Sequence, residues 1–337
     1  MLKSRRTRYN APMNAQPMIE HSKGYHTAEA VPYDTRFSET LAYFQAGLAR
    51  LLETESSRKH GEAPVKGTER LWEAIRYSTL KGGKRMRPVL ILESCRACGG
   101  NMETALPTAC AVEIIHAFSL IHDDLPCMDN DDLRRGQPTL HKAFDEATAL
   151  LTGDALLGMA FGLMTKHTPL SDQVTAQSLL DLVSDLSDVA GIHGLVNGQL
   201  VDILYEGQPY DEAVLEYIHT YKTGALFTFS AVAGVRLAGA DAAVVEGFQR
   251  FGKTLGLAFQ IVDDLLDVQS TSDTLGKTAG KDLIQKKATY PDFYGVSKTV
   301  TLAEDLVQEA MATLDQLGLE DTSALNDLAR FIQRRIH

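Results

Sequence analysis

The chain has 337 residues, 44% of them hydrophobic and 23% charged, which suits a globular protein able to bury a large core. Its formal net charge of −11 excludes nucleic acid as the main partner, because a phosphate backbone wants a basic face. An anionic small molecule is admissible only where local cations or metals overcome that background.

The first stretch, "MLKSRRTRYNAPMNAQPM", is basic and carries no acid before Glu20. Residues 1–36 read as a disordered N-terminal extension, with Met13 and Met18 as alternative starts; a transit peptide has a similar composition. From about residue 37 apolar residues recur at three- and four-residue steps, as in "FSETLAYFQAGLARLLE", "ERLWEAIRYSTL" and "AEDLVQEAMATLDQL". Breaks are predicted at "SSRKHGEAPVKG" (56–67), "KGGKRMRP" (81–88), "GGNMETALP" (99–107) and "STSDTLGKTAGKD" (270–282). A helix is predicted over 109–124, and Pro126 forces its end nearby. "TALLTGDALLGMAFGLM" and "GALFTFSAVAGVRLAGA" are apolar nearly all round, as helices packed on every side are.

These patterns predict an all-α protein: one domain over 37–337, a large bundle of ten or more helices around a central apolar cavity. No run of 18 uncharged apolar residues exists, so no membrane span is expected. The four cysteines include a "CRAC" pair, but no second CxxC or His pair completes a zinc site. Plain thiols point to a reducing compartment, hence a cytoplasmic location.

The chemistry lies in two acidic clusters. "LIHDDLPCMDNDDLRRG" (120–136) holds Asp123, Asp124, Asp129, Asp131 and Asp132, and His116 shares a helix face with Asp123. An EF-hand fails on spacing, since Leu133 and Arg134 stand where its loop needs an oxygen ligand and a glycine. Downstream, "FGKTLGLAFQIVDDLLD" (251–267) aligns Gln260, Asp263, Asp264 and Asp267 as one polar stripe on an apolar helix. Buried unpaired carboxylates cost several kcal/mol each, a cost that a hard divalent cation with oxygen ligands removes. Cations interleave with these acids: Lys84, Arg85 and Arg87 in "GGKRMRP", a glycine-loosened turn before a helix suited to gripping a phosphate, then Arg134 and Arg135, Lys222 and Thr223 at a helix break ("YKTGALF"), and Lys277 with Lys281. Carboxylates that hold metal, and metal that holds an oligophosphate, account for that interleaving.

"DDLPCMD" followed by "NDDLRRG", with "GGKRMRP" upstream and "FQIVDDLLD" downstream, resembles the trans-isoprenyl diphosphate synthases, most of all the bacterial-type farnesyl enzymes and the related geranylgeranyl ones. The likeness runs from about residue 40 to the last helix, with the diagnostic blocks in order. It implies Mg2+, about three ions per active site, held by Asp123, Asp129 and Asp263, with Asp124, Asp264 and Asp267 in support. It implies that Lys84, Arg87, His116 and Arg135 grip isopentenyl diphosphate, and that Arg134, Lys222, Gln260 and Lys277 contact the allylic diphosphate. Thr223 matches a hydroxyl near the reacting carbon, and Gln199 and Asp202 in "NGQLVD" match a further block. Asn130 replaces an Asp common in bacterial farnesyl enzymes, which leaves the product class open.

The implied reaction is head-to-tail condensation of isopentenyl diphosphate with dimethylallyl or geranyl diphosphate, by ionisation, condensation and elimination. Phe118 lies five residues before Asp123, about 7.5 Å back along a helix. In the resembling family an aromatic there limits the product to fifteen carbons, so farnesyl diphosphate is expected, with a twenty-carbon geranylgeranyl product as the alternative. A homodimer is also implied. Three rivals have other signatures. Glu113/His116 and Glu216/His219 form two ExxH pairs, as in di-iron carboxylate oxidases, at a frequency chance supplies. A class I terpene cyclase shares an Asp-rich motif and an all-α fold, but has no need of "GGKRMRP". A non-catalytic partner subunit would not need both Asp motifs intact.

Overall fold

The computed structural model describes residues 35–58, 67–269 and 287–336. The chain divides into two units, Met1–Pro32 and Tyr33–His337, and the first lies outside the described residues. So does the predicted extension, except for Thr35 and Arg36, which already belong to α1 (Thr35–Ser56).

The helices that follow are α2 (Thr68–Thr79), α3 (Met86–Ala97), α4 (Met102–Asp123), α5 (Leu140–Ala143), α6 (Glu146–His167), α7 (Ala176–Ala190), α8 (Leu195–Leu204) and α9 (Glu212–Ile218). A π-helical turn, His219–Gly224, joins α9 to α10 (Ala225–Leu237). Then come α11 (Ala242–Gln269), α12 (Tyr290–Tyr294), α13 (Val296–Asp315) and α14 (Ser323–Arg334). The all-α expectation holds. The strands described are two-residue pieces, β1 (Leu133–Arg134) and β2 (Gln137–Pro138).

The helix predicted over 109–124 begins earlier, at Met102. The Asn101 side chain accepts a hydrogen bond from the Glu103 backbone N–H, a cap that starts the helix ahead of Pro107. Proline inside a helix removes one backbone bond, but here it is buried, so packing carries the helix through it. α4 packs on α3 and α6, and α10 on α3 and α11. One buried cluster centres on α4 (Val112, Ile115, Phe118) with Leu156 of α6; a second centres on α11 (Phe251, Leu255, Val262) with Phe227 and Val307.

α4 and α6 are long and apolar enough to cross a membrane by length and hydropathy alone. Of the most apolar window of α4, 78% is buried, as expected of a core helix; for α6 the share is 39%, and Leu150 and Leu151 face outward. Glu113 on α4 and Arg85 form a salt bridge with both side chains almost fully buried, and Arg85 also donates to the Thr79 carbonyl at 2.6 Å. All four cysteines are free thiols.

Candidate active site

The first acid motif is the unwinding end of α4. Past Asp123 the chain turns back, with the Asp129 N–H donating to the Asp123 carbonyl at 2.8 Å and the Asn130 N–H to the Leu125 carbonyl at 3.0 Å. Asn130 is left-handed (φ 51°), a conformation Asn tolerates better than most residues. The "RRG" block is the tip of the small hairpin: Arg134 pairs with Gln137, and the two residues between, Arg135 (φ 54°) and Gly136 (φ 74°), are both left-handed, as a tight two-residue turn demands. Arg135 lies across Gly82 and Gly83 and donates to the Gly82 carbonyl at 3.2 Å. A Cβ on Gly83 would stand 2.6 Å from the guanidinium carbon, so the double glycine makes room for this arginine.

The second motif lies on α11 and faces the first across a cavity. Its lining includes Asp123, Asp129 and Arg134 from one side, Gln260, Asp263 and Asp264 from the other, and Lys222 and Thr223 from the π-helical turn. Two residues expected to break a helix thus sit on a continuous one with a local π distortion, a feature frequent at functional sites. Gly198 of α8 permits it, because a Cβ there would lie 2.4 Å from the Lys222 nitrogen. One turn on, Asp202 accepts from Lys222 Nζ at 2.5 Å, which gives the "NGQLVD" block a physical role. Buried Gln199 has neither amide atom hydrogen-bonded.

A relay of hydrogen bonds fixes the floor. Thr223 Oγ1 donates to Gln260 Oε1 at 2.6 Å, and Gln260 Nε2 donates to Asp264 Oδ1 at 2.8 Å. Asp264 Oδ2 accepts from His219 Nε2 at 3.0 Å and from the Tyr290 N–H at 3.1 Å. Burial lowers the His219 pKa, but Asp264 and the Leu215 carbonyl outweigh it and raise it above the ordinary value. An imidazolium that donates from both nitrogens fits this geometry.

The remaining acids are held among cations. Burial raises the Asp123 pKa, partly offset by Lys222, Arg134 and Lys287. Lys287 Nζ lies 3.1 Å from Asp129, 3.5 Å from Asp202 and 3.6 Å from Glu206. Burial opposes the charge on Lys222, yet Asp202 keeps its pKa above normal. Asp263 is paired with Lys84 at 3.4 Å and with Arg335. Lys287 and Arg335 were not singled out by sequence, and His219 only as half of an ExxH pair. Lys287 sits in an ordinary "QKKATY" run, and only the fold brings it to the acids.

Other predicted residues stand apart from that cavity. Asp124 is buried and held by Arg134, whose Nε is 3.0 Å away; burial pushes its pKa up to about 6 despite that partner. It lines a neighbouring cavity with Arg134 and Arg135. His116 is half-buried, and burial together with Arg87, Arg135, Arg85 and Arg134 holds it neutral, its pKa well below the ordinary value. Burial also lowers Arg87 to about 10, against the pull of Glu113 and Asp263. Arg85, offered by sequence as a phosphate grip, is committed to Glu113, which also removes Glu113 from any pairing with His116 in a di-iron site. Asp267 is buried and is not among the residues lining the cavity. Phe118 is buried edge-on against His122, ring centroids 5.0 Å apart, and lines neither cavity. Lys277 and Lys281 lie outside the described residues.

The donors that the two motifs offer a cation are carboxylate oxygens, which suits a hard ion such as Mg2+. Among the described residues no three His, Cys, Asp or Glu side chains converge as a preformed cage. Water and phosphate oxygens would supply the rest of the ligand shell, the usual way Mg2+ is held. Residues that fit Mg2+ are therefore Asp123, Asp129 and Asp263.

A family model for polyprenyl synthetases matches residues 68–319. The chain is 48% identical over 275 residues to the chloroplastic heterodimeric geranylgeranyl pyrophosphate synthase large subunit 1 of Arabidopsis thaliana, covering 81% of this chain and 74% of that one. It is 47% identical over 272 residues to the chloroplastic geranylgeranyl pyrophosphate synthase of Capsicum annuum, covering 80% and 73%. Among solved structures it is similar to a geranyltransferase of Helicobacter pylori complexed with magnesium and isoprenyl diphosphate (TM-score 0.75, 30% identity, 91% and 98% covered). A further match is an FPP/GFPP synthase of Zymomonas mobilis (TM-score 0.76, 34% identity, 88% and 99% covered). Facing acid motifs, interleaved cations and these matches agree: the chain is a prenyltransferase and belongs to the polyprenyl synthetase family.

Proposed function

We propose that this prenyltransferase condenses isopentenyl diphosphate with an allylic diphosphate and carries elongation to the twenty-carbon product, geranylgeranyl diphosphate. The observation that carries the product length is the 46–48% identity, over about four-fifths of the chain, to plant proteins named as geranylgeranyl synthases. This reverses the order expected from sequence, where the aromatic at Phe118 favoured fifteen carbons.

Bound Mg2+ would be held by Asp123, Asp129 and Asp263 and would supply the Lewis-acid charge that lets the allylic diphosphate depart. Lys222, Lys287 and Arg134 face the same cavity and add direct positive charge for that leaving group. The Thr223 and Gln260 oxygens, locked by their mutual bond and by Asp264, present fixed dipoles to an allylic cation. Lys84, Arg87 and Arg135, with neutral His116, hold the diphosphate of isopentenyl diphosphate. Its double bond attacks the cation, and the C2 proton passes to the departed diphosphate. The apolar helices around the site exclude water, which would otherwise capture the cation as an alcohol.

A farnesyl product is the second reading, favoured by the buried Phe118 ring on the helix that ends in Asp123. Incubating the protein with Mg2+, isopentenyl diphosphate and each allylic primer, then sizing the dephosphorylated products, separates them. A C20 alcohol supports the first reading, C15 the second, and no prenyl product overturns both.

We propose further that residues 37–337 are the catalytic domain and that it works as a homodimer. Apolar side chains left outward on α6 and α8 (Leu150, Leu151, Leu200, Leu204) support an interface there. A monomer at micromolar concentration in light scattering would contradict this. The location is read as cytoplasmic, with a transit-peptide role for the basic first 18 residues as the reading that the chloroplastic relatives favour. Fractionation of cells that produce the full chain decides between them.

A further inference from the structure

Gln260 can turn either end of its amide toward the cavity, and only the oxygen end suits a carbocation. In the arrangement described above Oε1 accepts from Thr223 Oγ1 at 2.6 Å, so oxygen lies on the side of the π-helical turn. Reversed, the amide would offer N–H donors there. Thr223 does not decide between the two, because a hydroxyl both donates and accepts. Asp264 does decide. Its Oδ1 stands 2.8 Å from Gln260 Nε2, and a carboxylate only accepts, so the NH2 end must face it. The reversed amide would set two oxygens against each other at that distance.

Asp264 is itself held from behind. Its Oδ2 accepts from His219 Nε2 at 3.0 Å and from the Tyr290 N–H at 3.1 Å. The Asp264 and His219 side chains are each 3% exposed, so bulk water does not replace these donors. His219 Nδ1 donates to the Leu215 carbonyl at 2.8 Å, which anchors the other side of the ring to α9. The Tyr290 ring stands edge-on to the imidazole, centroids 5.0 Å apart and planes at 87°, and blocks a tilt away from Asp264. His219 also opens the π-helical turn that carries Thr223, so one residue stands at both ends of the relay. Asp263, the preceding acid of the motif, is 35% exposed instead, which divides the two carboxylates between different tasks.

We propose that His219 is a positioning residue: by holding Asp264 as an acceptor, it fixes the Gln260 amide with its oxygen toward the allylic cation. His219 touches no reacting atom. The inference rests on the reaction proposed above, which puts that cation beside Thr223 and Gln260.

The test compares H219N and H219Q with wild type by steady-state kinetics, and adds neutron diffraction from crystals of the deuterated wild type. An asparagine amide stands near the place of Nδ1 and reaches Leu215 but not Asp264; a glutamine amide stands near Nε2 and reaches Asp264 but not Leu215. H219N is expected to lose about 10- to 100-fold in kcat, the scale of a misplaced dipole in the transition state. KM for both substrates should stay within about twofold, since the amide acts on the cation and not on either diphosphate. H219Q should recover kcat to within about fivefold of wild type. The neutron map should show deuterons on both His219 nitrogens and the Gln260 amide deuterons facing Asp264. Wild-type kcat in H219N would overturn the assignment. Equal losses in H219N and H219Q would do the same, because they mark the ring as a packing element alone. A Gln260 oxygen turned toward Asp264 in the neutron map overturns it without any variant, and decides the matter if H219N does not fold. Product formation by wild type keeps the proposed reaction standing through each of these failures. No prenyl product from wild type sinks the reaction, and the role of His219 with it.

Discussion

Gly198→Ala is the sharpest probe of how the fold places its chemistry. The added Cβ would stand 2.4 Å from the Lys222 nitrogen, 2.8 Å from its Cα and 2.9 Å from the Tyr221 carbonyl carbon. All three are backbone atoms, so no side chain can swing aside. Ordinary contact begins near roughly 3.5 Å, so α8 and the π-helical turn must separate by about 1 Å. Overpacking of this kind costs about 1–3 kcal/mol, or roughly 3–10 °C in melting temperature. The larger effect should be on rate. Lys222 and Thr223 ride on the displaced turn, and a misplacement near 1 Å costs on the order of 100-fold. The expected result is a folded enzyme with a modestly lower Tm by calorimetry and kcat reduced about 10- to 100-fold. The Asp202–Lys222 bond should lengthen in a structure of the variant. Wild-type kcat in G198A would refute the idea that this close approach positions the site.

Four further outcomes are expected. Asp123→Ala and Asp263→Ala should each lower turnover by at least about 100-fold, the scale of losing one key electrostatic group; near-normal condensation in both would dismiss the acid assignment. Phe118→Ala should cost about 3–5 kcal/mol in chemical denaturation through the cavity it leaves, with product length unchanged at C20; a longer product would show that the ring limits the chain. Because burial lifts Asp124 to about 6, its contribution to stability is present below the unfolded value near 4 and lost as pH rises through 6. Melting temperatures in EDTA should therefore fall for wild type relative to Asp124→Asn between about pH 4 and 6, and a constant difference would contradict the shift. Glu113→Ala strands Arg85 in the core and should destabilise by about 3–5 kcal/mol; iron bound by the purified wild type would instead revive a metal role for Glu113.

The helical class and the two acid stripes were legible because each is a local pattern: apolar steps of three and four, and carboxylates spaced to share a helix face. Pairings between distant segments were not. Arg85 and Arg87 are alike in sequence, yet one neutralises Glu113 in the core and the other lies over the Phe227 and Phe259 rings. Lys287 and Arg335 sit in unremarkable basic runs and reach Asp129 and Asp263 only through the fold. The start of α4 was misplaced because Pro107 reads as a breaker, while the Asn101 cap and the buried packing behind it override that signal. The π-helical turn had a trace in "YKTGALF", where the sequence suggested a break, but its cause lies in Gly198, more than twenty residues earlier.

The central claim is that two facing acid walls share divalent cations around a departing diphosphate. A crystal structure with Mn2+ and an unreactive allylic diphosphate analogue tests it most directly, through anomalous scattering. The predicted result is metal peaks between Asp123 and Asp129 on one side and Asp263 on the other, each also bound to phosphate oxygens. Diphosphate bound by lysines and arginines alone, with no metal peak between those carboxylates, would contradict it.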